Sequence, residues 1–338
     1  MIENLLHQLT ENMALQLQFR LSHKTLAKFK WEWSEVDSNP LSLTEWEDLK
    51  DLCLLSHEKL QLETKGFVKG FYKTNQQNWN YSFIEHKDCM KAHFTVIPNF
   101  SVSQNLLIPS YWDSFKRKNG LHIVSSEKGH GKSTFLKELI QQMTISEPKS
   151  IAVHSLISPL NLINDESVLH LSEDTLNWDT HHPIYDGIDV IVVDYNSIKN
   201  WEKWVHFVEE GRTVILTMSG ISTENILMQI QSQISTLPKL MERFIEVIQS
   251  IVFQKIVNLQ AGALHEIVVF NHELKNIFKE SNDLKLARIN EEKFKLFYQT
   301  LNTSIVQNLV RRKLDVKTAF QFSSNPDELD QILKRMGL

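Results

Sequence analysis

Four residues near the middle of the chain combine types and spacing that suit the binding of an anion. The segment Ser126-Glu127-Lys128-Gly129-His130-Gly131-Lys132-Ser133-Thr134 fits the pattern GxxxxGK[ST] everywhere except at its first position, where Ser126 replaces glycine. Gly129 and Gly131 would let backbone N–H groups turn inward around phosphate oxygens, with no Cβ in the way. Lys132 would bring a point charge to the β- and γ-oxygens, and the Ser133 hydroxyl would ligate Mg²⁺. A helix starting there aims its positive end at the same anion. Ser126, His130 and Thr134 complete the candidate nucleotide-binding set, with ATP and Mg²⁺ as the implied ligands. Asp194 ends the apolar run Val190–Val193, where a carboxylate could hold the water shell of the magnesium ion. A buried strand can also simply end in aspartate.

The flanks decide whether a GKS tripeptide is more than chance. LHIVSS (121–126) is a short apolar strand and STFLKELIQQM (133–143) an amphipathic helix directly after the glycines. Strand, loop and helix therefore stand in the order the chemistry requires. Three further strands follow in KSIAVHSLI (149–157), VIVVD (190–194) and TVILTMS (213–219), with a helical stretch at 197–209 between the last two. This alternation predicts a largely parallel sheet. Residues 222–257 and 290–334 read as long helical patterns, and LHEIVVF (264–270) as an isolated strand.

Residues 1 to about 100 read as a separate mixed α/β domain. Ile2, Leu5, Leu6, Leu9 and Met13 sit at helical spacing, and LQLQFRL (15–21) alternates as a strand. A helix over 43–55 has Thr44 as its N-cap candidate. Two strands lie within 79–97 around a polar turn at Lys87–Asp88, and Pro98 ends the second. Residues 101–117 form a linker with a short helix, and 118–338 the phosphate-binding domain with C-terminal helices.

Bulk composition narrows the partners. The 338 residues carry a net charge of -5 with 23% charged residues, so there is no global basic field and nucleic-acid binding by charge is disfavoured. The two cysteines, Cys53 and Cys89, have no metal-ligand spacing and point to a reducing cytoplasm. No run approaches 18 apolar residues, so a direct membrane span is not expected. Only 10 glycines occur, below the usual share of about 7%, and two of them stand at 129 and 131.

From about residue 105 onward the chain resembles the type IV pilus twitching-motility (retraction) ATPases of the secretion-ATPase superfamily. EGRTVILTMS (210–219) is similar to that family's "TGH.VFGTLH" strand, and IQSIVFQKI (248–256) to its "LQSVISQTL" helix. GALHEIVVFNHELKNIFKE (262–280) resembles its "AAHEIMI…AIRNLIRE" segment, and FSSNPDELDQIL the tails of some members. Upstream, FTVIP (94–98) is similar to the "FRTIP" that ends the family's N-terminal domain. The resemblance implies a PAS-like N-terminal domain, a RecA-like P-loop NTPase domain and a C-terminal helical appendage. It also implies a hexameric ring that hydrolyses ATP to drive pilus retraction, cytoplasmic and held at the inner membrane through a pilus platform protein.

Departures from the family fall on its catalytic positions. The acidic box "TIEDPIEF" corresponds to Ile151–Leu156, and no Asp or Glu occurs between Pro148 and Asp165. Serine cannot replace glutamate as a general base at neutral pH. The family's histidine-box position is Ser219. Its N-terminal arginines, which reach a phosphate in trans, fall on Asn78, Asn80 and Thr95, and its Walker B "GE" becomes Val193-Asp194. Binding groups are kept while water-activating and charge-neutralising groups are lost. This combination describes a divergent member that binds ATP and hydrolyses it slowly or not at all, in a homohexamer or a mixed ring with an active paralogue. The competing readings are a fully active hexameric retraction motor and, from another class, an AAA+-like DNA-associated ATPase. The latter would need a basic surface or an arginine-finger box, and neither stands out.

Several other residues have a plainer reading. His181 and His182, with Asp179 and Asp186 nearby, could suggest a metal but read as a solvated loop. His130 reads as a solvent-facing loop position, Trp201 and Trp204 as core or interface, Cys53 as a buried hydrophobe, and Arg311-Arg312-Lys313 as a solvated helix face.

Overall fold

A computed structural model describes residues 14, 16–29, 32–73, 78–86, 89–97, 109–115, 119–146, 149–155, 163, 165–171, 179–194, 200–258, 262–281 and 296–337. The chain divides into two compact units, Met1–Asn99 with Ile157–Pro159, and Phe100–Leu156 with Leu160–Leu338. The helix expected over Ile2–Met13 lies outside the described residues.

The first unit is an antiparallel sheet of β1 (Gln16–Arg20), β2 (Lys24–Phe29), β3 (Glu32–Pro40), β4 (Phe67–Lys73), β5 (Asn78–His86) and β6 (Cys89–Ile97), in the order β3-β2-β1-β6-β5-β4. Period-two alternation in β5 sends Trp79, Tyr81 and Phe83 to one face. There they pack with Leu17, Phe19, Phe94 and the helical residues Trp46, Leu49 and Leu62. Helices α1 (Leu43–Cys53) and α2 (Ser56–Lys65) bridge β3 to β4. Strand order and helix placement make this a PAS-like domain, with β3 added at one edge. The N-cap of α1 is Ser42, not Thr44: its hydroxyl accepts from Glu45 N while Glu45 Oε2 accepts from Ser42 N at 2.9 Å. A serine three residues before a glutamate satisfies two orphan donors, which Thr44 could not do from inside the helix.

The second unit is built on eight strands: β7 (Gly120–Ser126), β8 (Ile151–Ser155), β9 (Val168–Leu171), β10 (Val190–Asp194), β11 (Thr213–Ser219), β12 (Ile248–Asn258), β13 (Gly262–Val269) and β14 (Tyr298–Gln299). Their order is β14-β13-β12-β7-β11-β10-β8-β9. From β12 to β9 every neighbour is parallel, while β13 and β14 are antiparallel additions. Successive residues of one strand feed opposite cores. Val190 and Val192 pack with Phe135, Leu136, Leu139 and Ile140 of α4 (Lys132–Ser146). Ile191 and Val193 pack with residues of α5 (Trp201–Glu209), α6 (Thr223–Ile234), α7 (Pro238–Val247) and α8 (His272–Ser281). A sheet buried on both faces explains why VIVV runs apolar without alternation. Trp201 and Trp204 lie in that second core, each 4% exposed.

One element differs in kind from its sequence reading. Residues 248–256 form β12, not a helix, and 264–270 is no isolated strand, because β13 pairs with β12 along its length. Ile248, Ile251, Val252, Ile256 and Val257 fit the helical template by spacing. Insertion between two partner strands satisfies the same backbone groups in two ladders, and β-branched side chains suit that surface. The 290–334 pattern resolves, among the described residues, into α9 (Leu301–Val310), α10 (Val316–Phe322) and α11 (Pro326–Met336). They pack on Val257 and Leu264 as a separate core, the helical appendage behind the sheet. A further short helix, α3, spans Pro109–Ser114. No helix among the described residues is long and apolar enough to cross a membrane.

Candidate phosphate-binding site

At the C-terminal end of β7 the chain turns sharply and enters α4. Ser126 is buried, donates its hydroxyl to Glu127 O at 2.8 Å, and gives its carbonyl to Gly220 N. The turn closes with His130 N donating to Glu127 O at 3.2 Å. Gly129 and Gly131 have φ of 87° and 78°, a left-handed region that residues with a Cβ enter only at a cost. A Cβ on Gly129 would meet nothing within 4 Å, so that side of the cradle is open. A Cβ on Gly131 would lie 2.7 Å from Ile256 Cδ1 and 2.9 Å from Gln254 Nε2.

Strand β12 holds the loop from behind. Gln254 Nε2 donates to His130 O at 2.7 Å, and Ile256 N donates to His130 Nδ1 at 3.0 Å. Lys255 Nζ lies 3.3 Å from Glu127 Oε1. His130 is therefore a half-buried anchor, not a solvent-facing position. Its imidazole can reach β12 only because β12 is a strand beside β7, which the sequence pattern hid.

The brace continues inward. Gln254 Oε1 accepts from His265 Nε2 at 3.1 Å, and His265 N donates to Ser304 Oγ of α9 at 3.0 Å. Burial pushes the His265 imidazole down to about 4. An unfolded chain takes up this proton near pH 6.5. The stabilisation is therefore whole above that pH and drains away as pH falls from 6.5 towards 4, by about 3 kcal/mol at the lower end. In His265→Gln the denaturation midpoint should fall less steeply over this interval; an unchanged slope would remove His265 from the account.

Lys132 opens α4 and is half-buried; burial lowers its ammonium pKa, and the Asp194 carboxylate partly restores it. Strand β11 lies between β7, which leads into the loop before Lys132, and β10, which carries Asp194, and its Thr217 Oγ1 donates to Asp194 Oδ1 at 3.2 Å. Ser133 is half-buried and Thr134 buried in the same first turn. The loop, Lys132 and Asp194 thus gather at the carboxyl ends of the parallel strands, where open α/β sheets place their ligands.

The flanking positions carry no acid. Asp194 sits in register with Ser155 of β8, and Val193 with His154. Leu156 lies outside the described residues. Ser219 is in register with Ser126, and its carbonyl accepts from Gln229 Nε2 at 3.2 Å. In the first unit, Asn80 faces Thr95 across β5 and β6, and Asn78 faces Ile97, so these uncharged side chains share one end of the sheet, where Lys73 is in register with Asn78.

The strand order, the turn between β7 and α4, and the acid two strands away define a RecA-like P-loop NTPase fold, preceded in the chain by a PAS-like N-terminal domain. Among solved structures, the chain is similar to the pilus retraction motor PilT with bound ADP, at a TM-score of 0.74 and 16% identity, covering 98% of this chain and 99% of that one. It is likewise similar to the ATPase DotB of Legionella pneumophila (TM-score 0.72, 15% identity, 94% of each chain). The Yersinia pseudotuberculosis DotB compares at 0.69 and 15% over 95% and 92%. At such identities the likeness is one of fold. No family model matches the chain, and no curated protein matches it by sequence.

Proposed function

We propose that the chain is a divergent member of the type IV pilus retraction ATPase family that binds ATP with Mg²⁺ and hydrolyses it slowly or not at all. The observation that carries the reading is the glycine-shaped loop at the mouth of the parallel sheet, with the Asp194 carboxylate close enough to Lys132 to offset part of the burial that lowers its ammonium pKa. Backbone amides of the loop and the Lys132 charge would hold the phosphates, while the Ser133 hydroxyl and Asp194 would hold the cation. Weak turnover follows from Ser155 and Ser219 beside this site and from the uncharged Asn78, Asn80 and Thr95. Uniform binding without transition-state stabilisation does not make a fast enzyme. On this reading the chain works in a hexameric ring, homomeric or mixed with an active paralogue, docked on a platform protein at the cytoplasmic side of the inner membrane.

The second reading, an active retraction motor, draws on the near-complete structural likeness to PilT. Titration with a fluorescent adenine nucleotide and a steady-state ATPase assay separate the two. Lys132→Ala should weaken nucleotide binding roughly 10- to 100-fold, the worth of a charge-assisted contact. Turnover above about 1 per second, an ordinary enzymatic rate, that disappears in Lys132→Ala would establish the motor reading instead.

A further inference from the structure

Away from the loop, three side chains that could ligate a metal converge on one point. We propose that His181, His206 and Glu210 form a binding site for a zinc-class divalent cation, clipping the 179–182 turn to the end of α5. His206 and Glu210 lie one helical turn apart on the same face, with His206 Nε2 3.2 Å from Glu210 Oε1. His181 Nδ1 approaches the same oxygen at 3.8 Å. The three donor atoms all lie within 4.8 Å of one another.

These spacings suit a shared ion. Zinc holds imidazole nitrogen at about 2.0–2.1 Å and carboxylate oxygen at about 2.0–2.2 Å, so two donors on one tetrahedral ion are roughly 3.3–3.5 Å apart and never more than about 4.3 Å. The two distances to Glu210 sit around that value. The imidazoles need a small closure, and His181, exposed on its turn, can supply it.

The supporting contacts point the same way. Arg212 Nη1 donates to Glu210 Oε2, which leaves Oε1 for the histidines. Arg243 takes up both oxygens of the neighbouring Glu209, at 2.8 and 2.6 Å. Asp179 Oδ1 accepts from His181 N at 3.2 Å and shapes the turn. Tyr185, fully buried against Phe207 at 4.8 Å between ring centres, fixes the turn's far side. His182 is not part of the set, because its Nδ1 accepts from Ile184 N. Two imidazoles and one carboxylate with open positions favour zinc, nickel or copper over magnesium or calcium. The cluster stands at the amino-terminal end of β10 and β11, opposite the end that carries Lys132 and Asp194, so it is no substitute for the magnesium site.

The test uses the full chain, stripped with a chelator and kept free of nucleotide, titrated with Zn²⁺ against a chromophoric competitor at pH 7.5. One equivalent should bind more tightly than the background set by the other twelve of the chain's 14 histidines. His206→Ala and His181→Ala should each weaken that equivalent by at least about tenfold, since loss of even an outer partner costs roughly 10- to 100-fold. His182→Ala should leave it unchanged. Co²⁺ should give a visible absorption band that follows the same pattern. If His206→Ala fails to fold, His181→Ala, on an exposed side chain, decides alone. Equal affinity in wild type and the His181 and His206 variants, or an equal loss in His182→Ala, would overturn the site.

Discussion

Gly131→Ala should raise the dissociation constant for adenine nucleotide about 100-fold, while Gly129→Ala should raise it only about tenfold. Both glycines have positive φ, and a Cβ there costs roughly 1–2 kcal/mol, close to one power of ten. At Gly129 the added carbon meets open space, so this backbone cost is the whole effect. At Gly131 it presses on Ile256 Cδ1, which can swing, and on Gln254 Nε2, which cannot move freely. That amide is committed to His130 O on one side and to His265 on the other. Displacing it breaks a bond worth about 1 kcal/mol and leaves a buried carbonyl poorly served. Fluorescence titration of the two variants measures the difference. Equal losses would mean that β12 does nothing to hold the loop.

Ser155→Glu should increase ATP turnover on the order of 100-fold over the unsubstituted chain, with Ser155→Gln as the silent control. Register puts residue 155 beside Asp194, one strand spacing of about 4.8 Å away. A carboxylate there would be within reach of a water held near the phosphates, and positioned general bases contribute about 10²–10⁴-fold. Two neighbouring acids repel, which raises the pKa of one of them. For a base that must gain a proton near neutral pH this shift is helpful, and Lys132 limits the penalty. Steady-state assays with nucleotide binding measured in parallel give the answer. Intact binding with no gain in turnover would show that a carboxylate at 155 is not what the site lacks.

Legibility in the sequence followed the range of the interactions involved. The β7–loop–α4 unit was readable because its glycines, apolar strand and amphipathic helix are contiguous, and β10 and β11 because a strand buried on both faces is apolar throughout. In the first domain, alternation makes single strands such as β1 legible, whereas its PAS-like character comes only from the family resemblance. β12 has a helical pattern in the sequence because its identity as a strand is conferred by β7 and β13, its partners on either side. The role of His130 was lost with it, since its anchors lie on β12. His206 and Glu210 gave no signal because the helix that carries them reads as core, through Trp201, Trp204 and Phe207. Only the fold brings the 179–182 turn to their side.

The insertion of β11 between the strands of Ser126 and Asp194 makes the gap between cationic loop and acid a property of the backbone. Two strand spacings, about 9–10 Å, are fixed by hydrogen-bonded ladders that no change at the rim can widen or narrow. Side chains at the mouth can therefore be exchanged, glutamate for serine or histidine for serine, without altering the room left for a hydrated ion.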